Sequence, residues 1–232
     1  MDYMNTKFNY TPISRETIAG KRHYCLPDGS KVASVTTILD KTKPQESVDA
    51  LNNWRKRVGA QAAQTITTEA AGRGTSMHSH LENYLREGKH ALIGTNLVHA
   101  QAYKMADVII NDALKYLDEV WGLEVPVYYP GLYAGTTDLV GIYRGIPAIM
   151  DYKQTNRPKK IEYVEDYFIQ LSAYILAHNT VHGTDIRQGH IFMCSKDLEY
   201  QQFDLLPANF SEYEDKWLTR VELYYRQLGA LC

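Results

Sequence analysis

The chain is poor in cysteine, and its few cysteines lie far apart. Three occur in 232 residues, at Cys25, Cys194 and Cys232. An odd number at such wide spacing supports neither a disulfide framework nor a four-cysteine metal site, and it argues against an iron–sulfur cluster. We therefore expect a reducing, cytoplasmic setting and no cluster.

Long apolar runs and an excess of one charge are also absent. The sequence has no stretch of about 18 consecutive apolar residues, and Met1–Tyr10 lacks the basic start and apolar run of a secretory signal. We expect a soluble protein without a membrane partner. A net charge of −2 excludes a uniformly basic nucleic-acid binder but leaves room for a local basic groove. The 18 tyrosines offer rings that can pack in a core or stack on bases.

The hydrophobic content, 44%, is enough to bury a substantial core. The order of helical and strand patterns predicts an α/β fold with a mixed central sheet flanked by helices. We expect one domain over 1–232, in which an N-terminal hairpin and helical accessory lobe, 1–70, precedes a core, 71–232.

The patterns place the individual elements as follows. Residues 1–20 are interpreted as an irregular lead-in, and a small hairpin flanks the turn Pro27–Ser30. A helix over about 45–68 ends at Ala71–Gly74, and the next covers about 77–86. A helix over 96–120 buries Leu97, Leu117 and Val120 among others. Strands at 123–129, 188–194 and 199–205 and helices at 163–179 and 207–228 follow.

One stretch, Gly135–Lys153, organises the rest. It reads as two apolar strands joined at Arg144-Gly145, where glycine can adopt a positive φ. A two-residue loop pairs Tyr143 with Ile146, and the same register places Asp138 opposite Asp151. Lys153 then shares the face of Asp151. Both faces of the hairpin are apolar, which is typical of the middle of a covered sheet.

Two facing carboxylates repel each other, and a bound cation would offset this repulsion. Carboxylate-held Mg²⁺ or Mn²⁺ beside a lysine suits the hydrolysis of a phosphodiester. The alternative is that Asp138 and Lys153 are ordinary surface charges at strand ends.

Four motifs resemble those of the RecB-like branch of the PD-(D/E)XK nucleases. They are Gly74-Thr75-Ser76-Met77-His78 with Glu82, Gly135-Thr136-Thr137-Asp138, Asp151-Tyr152-Lys153, and Gln170-Leu171-Ser172-Ala173-Tyr174. Within that branch the chain is most similar to the subgroup of mitochondrial genome maintenance exonucleases and phage-type relatives. It departs from the usual pattern at Ala33, where a proline is common, at Thr137, which replaces the named proline, and at Gln154, where a threonine often follows the lysine.

The resemblance implies a PD-(D/E)XK nuclease core and assigns roles to individual residues. His78, Asp138, Asp151 and the backbone carbonyl of Tyr152 would hold Mg²⁺ or Mn²⁺, and the histidine makes Mn²⁺ at least as suitable. Lys153 would position or activate the attacking water. Gln170 would anchor the active-site loop or the scissile phosphate, and Tyr174 would support Gln170 or stack on the substrate. Glu82 would orient His78. For Glu124, on the preceding strand, a similar role competes with a structural one, which we favour.

The implied substrate is DNA. Arg157, Lys159 and Lys160, with Tyr163 and Tyr167, would contact and stack on a single strand. Arg55, Lys56, Arg57 and Arg73 would form the opposite wall, although both groups would equally make an ordinary solvated surface. The resemblance implies an exonuclease that prefers single-stranded DNA or single-stranded ends. The alternatives are a structure-selective endonuclease and a non-catalytic DNA-binding module of a recombination complex. If the chain is phage-encoded, the expected location is the host cytoplasm. The sequence indicates no protein partner.

Overall fold

Eight strands form one sheet in residues 7–91 and 96–229, the part of the chain that the computed structural model describes. The strands are β1 (Ser14–Ile18), β2 (Lys21–Cys25), β3 (Lys31–Ser34), β4 (Leu117–Tyr129), β5 (Tyr133–Tyr143), β6 (Ile146–Thr155), β7 (Gly189–Ser195) and β8 (Tyr200–Leu205). The α-helices of the same residues are α1 (Val35–Lys41), α2 (Gln45–Val58), α3 (Ala60–Glu87), α4 (Leu97–Asp112), α5 (Glu165–His182) and α6 (Pro207–Gln227). Cys232 and the first six residues lie outside the described ranges.

The strands follow the order β1-β2-β3-β5-β6-β7-β8. β4 lies outside this order and pairs with the edge of β5 opposite to the one that β3 and β6 share. β3 pairs with β5, and β6 with β7, in parallel orientation, whereas the remaining neighbours are antiparallel. The predicted fold class, a mixed central sheet flanked by helices behind an N-terminal hairpin, is confirmed.

The central hairpin has the predicted register. Arg144 and Gly145 have φ values of 51° and 79°, as a two-residue type I′ turn requires. Tyr143 faces Ile146, and the pairing continues to Leu139 and Met150. Asp138 and Asp151 are therefore the next facing pair in this register.

Both faces of the sheet are covered. On one face, Val140 and Ile149 belong to a core with residues of α1, α5 and α6, including the fully buried Trp217. On the other face, Leu139 and Met150 pack with residues of α3 and α4. The two apolar faces predicted for the hairpin are thus buried, although Ile146, beside the turn, is half exposed.

The predicted helix break at Ala71–Gly74 is wrong. Gly72 and Gly74 lie inside α3, and the interruption falls at Gly59, whose φ of 86° and ψ of 150° end α2. A glycine costs a helix interior only about 1 kcal/mol, which packing on neighbouring elements can outweigh. Gly74 has such a contact, because a Cβ there would lie 3.3 Å from Cγ of Gln154 on β6.

Three further expectations need correction. Residues 14–18 form the edge strand β1 rather than an irregular lead-in. α4 ends at Asp112, and Leu117 and Val120 belong to β4, where Leu117 pairs with Tyr143. Leu97 is 85% exposed in the first turn of α4. Apolar spacing over a short window does not distinguish a helix from a buried strand, and here the pairing partner decided it.

In the described residues, no helix has the length and apolar content needed to cross a bilayer.

The predicted boundary between lobe and core, at residues 70 and 71, falls inside a helix. α3 runs from Ala60 to Glu87 and so continues through this boundary. The division into lobe and core remains a prediction.

Candidate active site

A gap in the pairing of β5 marks the site. β3 pairs with Tyr133 and Ala134 on one edge of β5, and β6 pairs with residues 139–143 on that same edge. Residues 135–138 lie between the two ladders. A cavity of about 240 Å³ opens here, and Gly135, Thr136 and Asp138 line it.

Three acidic residues lie in a row across the strands that flank this gap. Asp138 of β5 and Asp151 of β6 face each other as the next pair of the hairpin register after Leu139 and Met150. On the other edge, Leu123 pairs with Leu139 and Val125 with Thr137, so Glu124 of β4 stands opposite Asp138. Glu124 has a φ of 51°, which is uncommon for a non-glycine residue in a strand.

His78 reaches the row from α3. Its Nε2 lies 3.0 Å from the carbonyl oxygen of Tyr152, and its Nδ1 lies 3.3 Å from Oδ1 of Asp138. Potential ligand atoms of His78, Glu124 and Asp138 all lie within 4.8 Å of one another. Three of the four predicted metal ligands therefore meet, and Glu124 joins them.

The fourth predicted ligand, Asp151, is engaged differently. Its Oδ2 is buried and forms an ion pair with Nζ of Lys153. Apart from that ion pair, Oδ2 has no hydrogen-bond partner among the residues that the structure describes. An acceptor left in this state beside two carboxylates and an imidazole suits a divalent cation, which prefers oxygen ligands and tolerates nitrogen when it is Mn²⁺. The residues present thus fit a metal ion.

Burial and mutual charge move the pKa values of the acids apart. Burial would raise the pKa of Asp138, but His78, Lys153 and the N–H of Tyr152, which donates to Oδ2 at 2.7 Å, together hold it below its usual value. Burial, reinforced by Asp138, raises the pKa of Asp151, although Lys153 opposes the shift. Burial and Asp138 raise the pKa of Glu124 to about 7.

The two cations of the site have raised pKa values. Burial favours the neutral form of His78, but Asp138 outweighs it and brings the pKa to about 9. Burial also disfavours the charged form of Lys153, and the neighbouring Asp151 and Asp138 more than compensate, so its pKa lies above the ordinary value. Without a bound metal, the site neutralises its carboxylates with its own imidazolium and ammonium groups.

The Gln170–Tyr174 pair forms one wall of the candidate active site. Nε2 of Gln170 donates to the hydroxyl of Tyr174 at 2.9 Å, and both side chains are buried on α5. Gly135 makes room for this ring, since a Cβ at that position would lie 2.6 Å from Cε1 of Tyr174. The glycine of the second motif and the tyrosine of the fourth are therefore in contact.

A chain of cations and one aromatic ring leads away from the site. Nζ of Lys153 lies 5.2 Å from the centre of the Tyr167 ring, and Nζ of Lys159 donates to the Tyr167 hydroxyl at 2.8 Å. Arg157 is exposed, as is Tyr163 at 66%. The predicted strand-binding segment thus begins beside Lys153.

Arg73 and Glu82 have partners other than the expected ones. Arg73 is 7% exposed and donates to Gln154 at 3.1 Å and to Asn156, which ties α3 to the end of β6. Its guanidinium thus contacts two side chains of the segment that follows Lys153. The carboxylate of Glu82 accepts from Arg86 at 2.8 Å, while Asp138 and the Tyr152 carbonyl contact the ring nitrogens of His78. The structure does not show the orienting role expected of Glu82.

Sequence reasoning gave Glu124 too little weight. The signal was available, because the turn at residues 130–132 sets the β4–β5 register as firmly as Arg144-Gly145 sets the β5–β6 register. It also gave no role to Arg15 and Arg22, which line the cavity from β1 and β2. Their position depends on β1, which had been interpreted as an irregular segment.

Sequence comparison finds similar proteins in three vertebrates, each named mitochondrial genome maintenance exonuclease 1. The protein from Mus musculus is 28% identical over 92% of this chain, the one from Xenopus tropicalis 27% over 84%, and the one from Homo sapiens 27% over 83%. The chain spans 67% of the length of the mouse protein and 58% of the lengths of the other two. No protein-family model matches. The predicted resemblance to this group of exonucleases is confirmed.

Comparison with solved structures finds more distant similarity. A candidate exonuclease from Eubacterium rectale has a TM-score of 0.48 and 15% identity over 69% of each chain. An alkaline exonuclease from Laribacter hongkongensis has a TM-score of 0.30 and 13% identity, over 67% of this chain and 82% of its own.

Proposed function

We propose that this protein is a metal-dependent DNA exonuclease that hydrolyses phosphodiester bonds and prefers single-stranded DNA or single-stranded ends. One observation carries the proposal: His78, Glu124 and Asp138 bring their ligand atoms within 4.8 Å of one another beside the buried Asp151–Lys153 pair. The similarity to proteins named as exonucleases supports the same reaction.

The proposed metal site comprises His78, Glu124, Asp138, Asp151 and the Tyr152 carbonyl. A Mg²⁺ or Mn²⁺ ion held there would neutralise phosphate oxygens and acidify a bound water. The imidazole among the donors favours Mn²⁺ more than an all-oxygen site would.

The protein's own groups supply the remaining requirements. Lys153 is a cation whose ammonium group donates hydrogen bonds, which suits it to hold the attacking water or a phosphate oxygen in line. Asp151 fixes that ammonium group. The amide of Gln170 is positioned by Tyr174 and provides a neutral donor near the scissile phosphate.

The preference for a single strand rests on the segment after Lys153. Lys159, Arg157 and Tyr163 offer charge for the backbone and a ring for base stacking. Replication, recombination and repair of DNA are the processes in which we expect such an activity to act. The relatives are named as mitochondrial, and the cytoplasmic location of this chain stays a prediction.

The direct test is digestion of single-stranded and duplex DNA, blocked at the 5′ or the 3′ end, with Mg²⁺, Mn²⁺ or a chelator. We expect stepwise release from an unblocked single-stranded end with either metal and no cleavage with the chelator. Undiminished cleavage under chelation would refute the metal-dependent mechanism.

Linear and circular single-stranded DNA distinguish the exonuclease from a structure-selective endonuclease. An exonuclease degrades only the linear form, so rapid cutting of the circle would favour the endonuclease.

The variant Asp151→Asn distinguishes an enzyme from a non-catalytic DNA-binding module. If the protein is an enzyme, this variant loses cleavage and largely keeps DNA binding. A wild-type protein that binds DNA and cuts none of these substrates would favour the binding module.

A further inference from the structure

The cavity at the gap in β5 extends beyond the proposed metal ligands. Glu124 and Asp138 line the cavity together with Arg15 and Arg22. Ser34, Thr36 and Thr136 add hydroxyl groups to its lining. The cavity has a volume of about 240 Å³.

The β1–β2 hairpin places both arginines on one face. Arg15 pairs with Tyr24 and Arg22 with Thr17, two positions along the ladder, so Arg15, Arg22 and Tyr24 point to the same side. Tyr24 is buried, and its hydroxyl lies 3.4 Å from Oγ1 of Thr136 on β5. This contact fixes the arginine-bearing face of the hairpin against the candidate active site.

Neither guanidinium has a counterion within residues 7–91 and 96–229. The ion pairs there include Arg86, Arg187, Arg220 and Arg226, but not Arg15 or Arg22. Neither of the two side chains makes a hydrogen bond to another described residue. Both arginines are exposed to solvent, so their guanidinium groups are accessible, and an anion bound beside both would be attracted by two positive charges.

We propose that Arg15 and Arg22 bind a phosphate group of the DNA strand next to the scissile bond. The proposal deepens the proposed function and rests on it. Guanidinium groups match the geometry of phosphate with paired hydrogen bonds, and the hydroxyl of Thr36 adds a neutral donor. With the scissile phosphate at the carboxylates and a neighbouring phosphate at the two arginines, the strand would be held beside the bond that breaks.

That phosphate can be a terminal monoester or an internal diester. Oligonucleotides that carry phosphate or hydroxyl at the 5′ end or the 3′ end distinguish the terminal phosphate from the internal one. Loss of discrimination between a phosphorylated and a hydroxyl end in the arginine variants identifies a terminal phosphate. An equal rise in KM for all four ends identifies an internal one.

The variants are Arg15→Gln, Arg22→Gln and the double substitution, with Arg187→Gln as the matched control. Arg187 is exposed, and its ion-pair partner in the described part of the chain is Asp185, before the start of β7. We expect the double variant to raise KM at least about tenfold on the affected substrates while kcat changes little. Arg22→Lys should restore part of the loss, since it returns the charge without the paired hydrogen bonds.

A binding measurement separates this proposal from the proposed function. Single-stranded DNA is titrated against Asp151→Asn, with and without the arginine substitutions, over a range of salt concentrations. The slope of log affinity against log salt should fall by about 0.7 for each phosphate contact removed. A wild-type protein that cleaves no DNA would sink the proposed function, whereas this measurement still tests the phosphate contact. An unchanged KM and an unchanged slope in the double variant would overturn the proposal, as would an equal loss in Arg187→Gln.

Discussion

Glu124 lies opposite Asp138 across the β4–β5 ladder, with a backbone φ of 51° that few non-glycine residues adopt. The carboxylate oxygens of these two residues and a ring nitrogen of His78 are close enough to share one cation. Backbone strain of this kind costs about 1–3 kcal/mol and persists where the surrounding structure enforces it. The proposed role of Glu124 as a metal ligand would account for a strand that tolerates it.

Glu124→Gln should therefore weaken metal binding. The amide keeps the shape of the side chain but removes the charge, and we expect Mn²⁺ affinity to fall at least about tenfold. Isothermal titration of the metal-free protein with Mn²⁺ measures the change. Glu87→Gln, an exposed position at the end of α3, is the control. Equal affinities in all three proteins would remove Glu124 from the site.

Lys153→Ala should abolish cleavage and also destabilise the metal-free protein. It leaves the buried Asp151 carboxylate without its cation, which costs up to about 3–5 kcal/mol for a fully buried pair and less here, because the Lys153 side chain is 20% exposed. Thermal melts in chelator measure the loss, with Lys104→Ala, on the surface of α4, as the control. Added Mn²⁺ should raise the Tm of Lys153→Ala more than that of the wild type, because Asp151 becomes free to bind the metal. A Tm equal to the wild-type value in chelator would contradict the ion pair.

The stability of the metal-free protein should depend on pH through His78. Its pKa of about 9 lies above the unfolded value near 6.5, so the folded state binds the extra proton. The stabilisation is complete below pH 6.5 and is lost as pH rises through 9. The difference in unfolding free energy between the wild type and His78→Gln, measured by denaturant titration in chelator, should shrink over that window. A difference that stays constant, or grows with pH, would contradict the shift.

The helix boundary can be tested with two glycines. Gly72→Ala should stabilise the protein by about 0.5–1 kcal/mol, since the residue lies inside α3 and, among the described residues beyond this helix, its new Cβ would meet only Cγ1 of Val98, at 3.9 Å. Gly59→Ala should destabilise it by about 1 kcal/mol or more, because φ there is 86°. Urea unfolding of both variants measures the effects. The opposite signs would show that the chain breaks at residues 71–74 instead.

The motif residues separate what local sequence could predict from what it could not. The β5–β6 register followed from Arg144-Gly145 alone, because a two-residue turn fixes every later pair. The predicted convergence of His78, Asp138 and Tyr152 depended on the family resemblance, since 60 residues separate His78 from Asp138. The predicted helix boundary at residues 71–74 was wrong, because glycine occurs both inside helices and at their ends. Only the packing of Gly74 against Gln154 decides between these two possibilities.

The sequence by itself determined the hairpin, its register and the identities of the acids and the lysine, because turn chemistry and period-two alternation are local properties. The tertiary structure alone decided that β3 and β6 share one edge of β5 and leave residues 135–138 between them. It also decided that Arg15 and Arg22 line the same cavity as Glu124 and Asp138. These arrangements depend on strands far apart in the chain, whose pairing is set by the burial of the whole sheet between its two layers of helices.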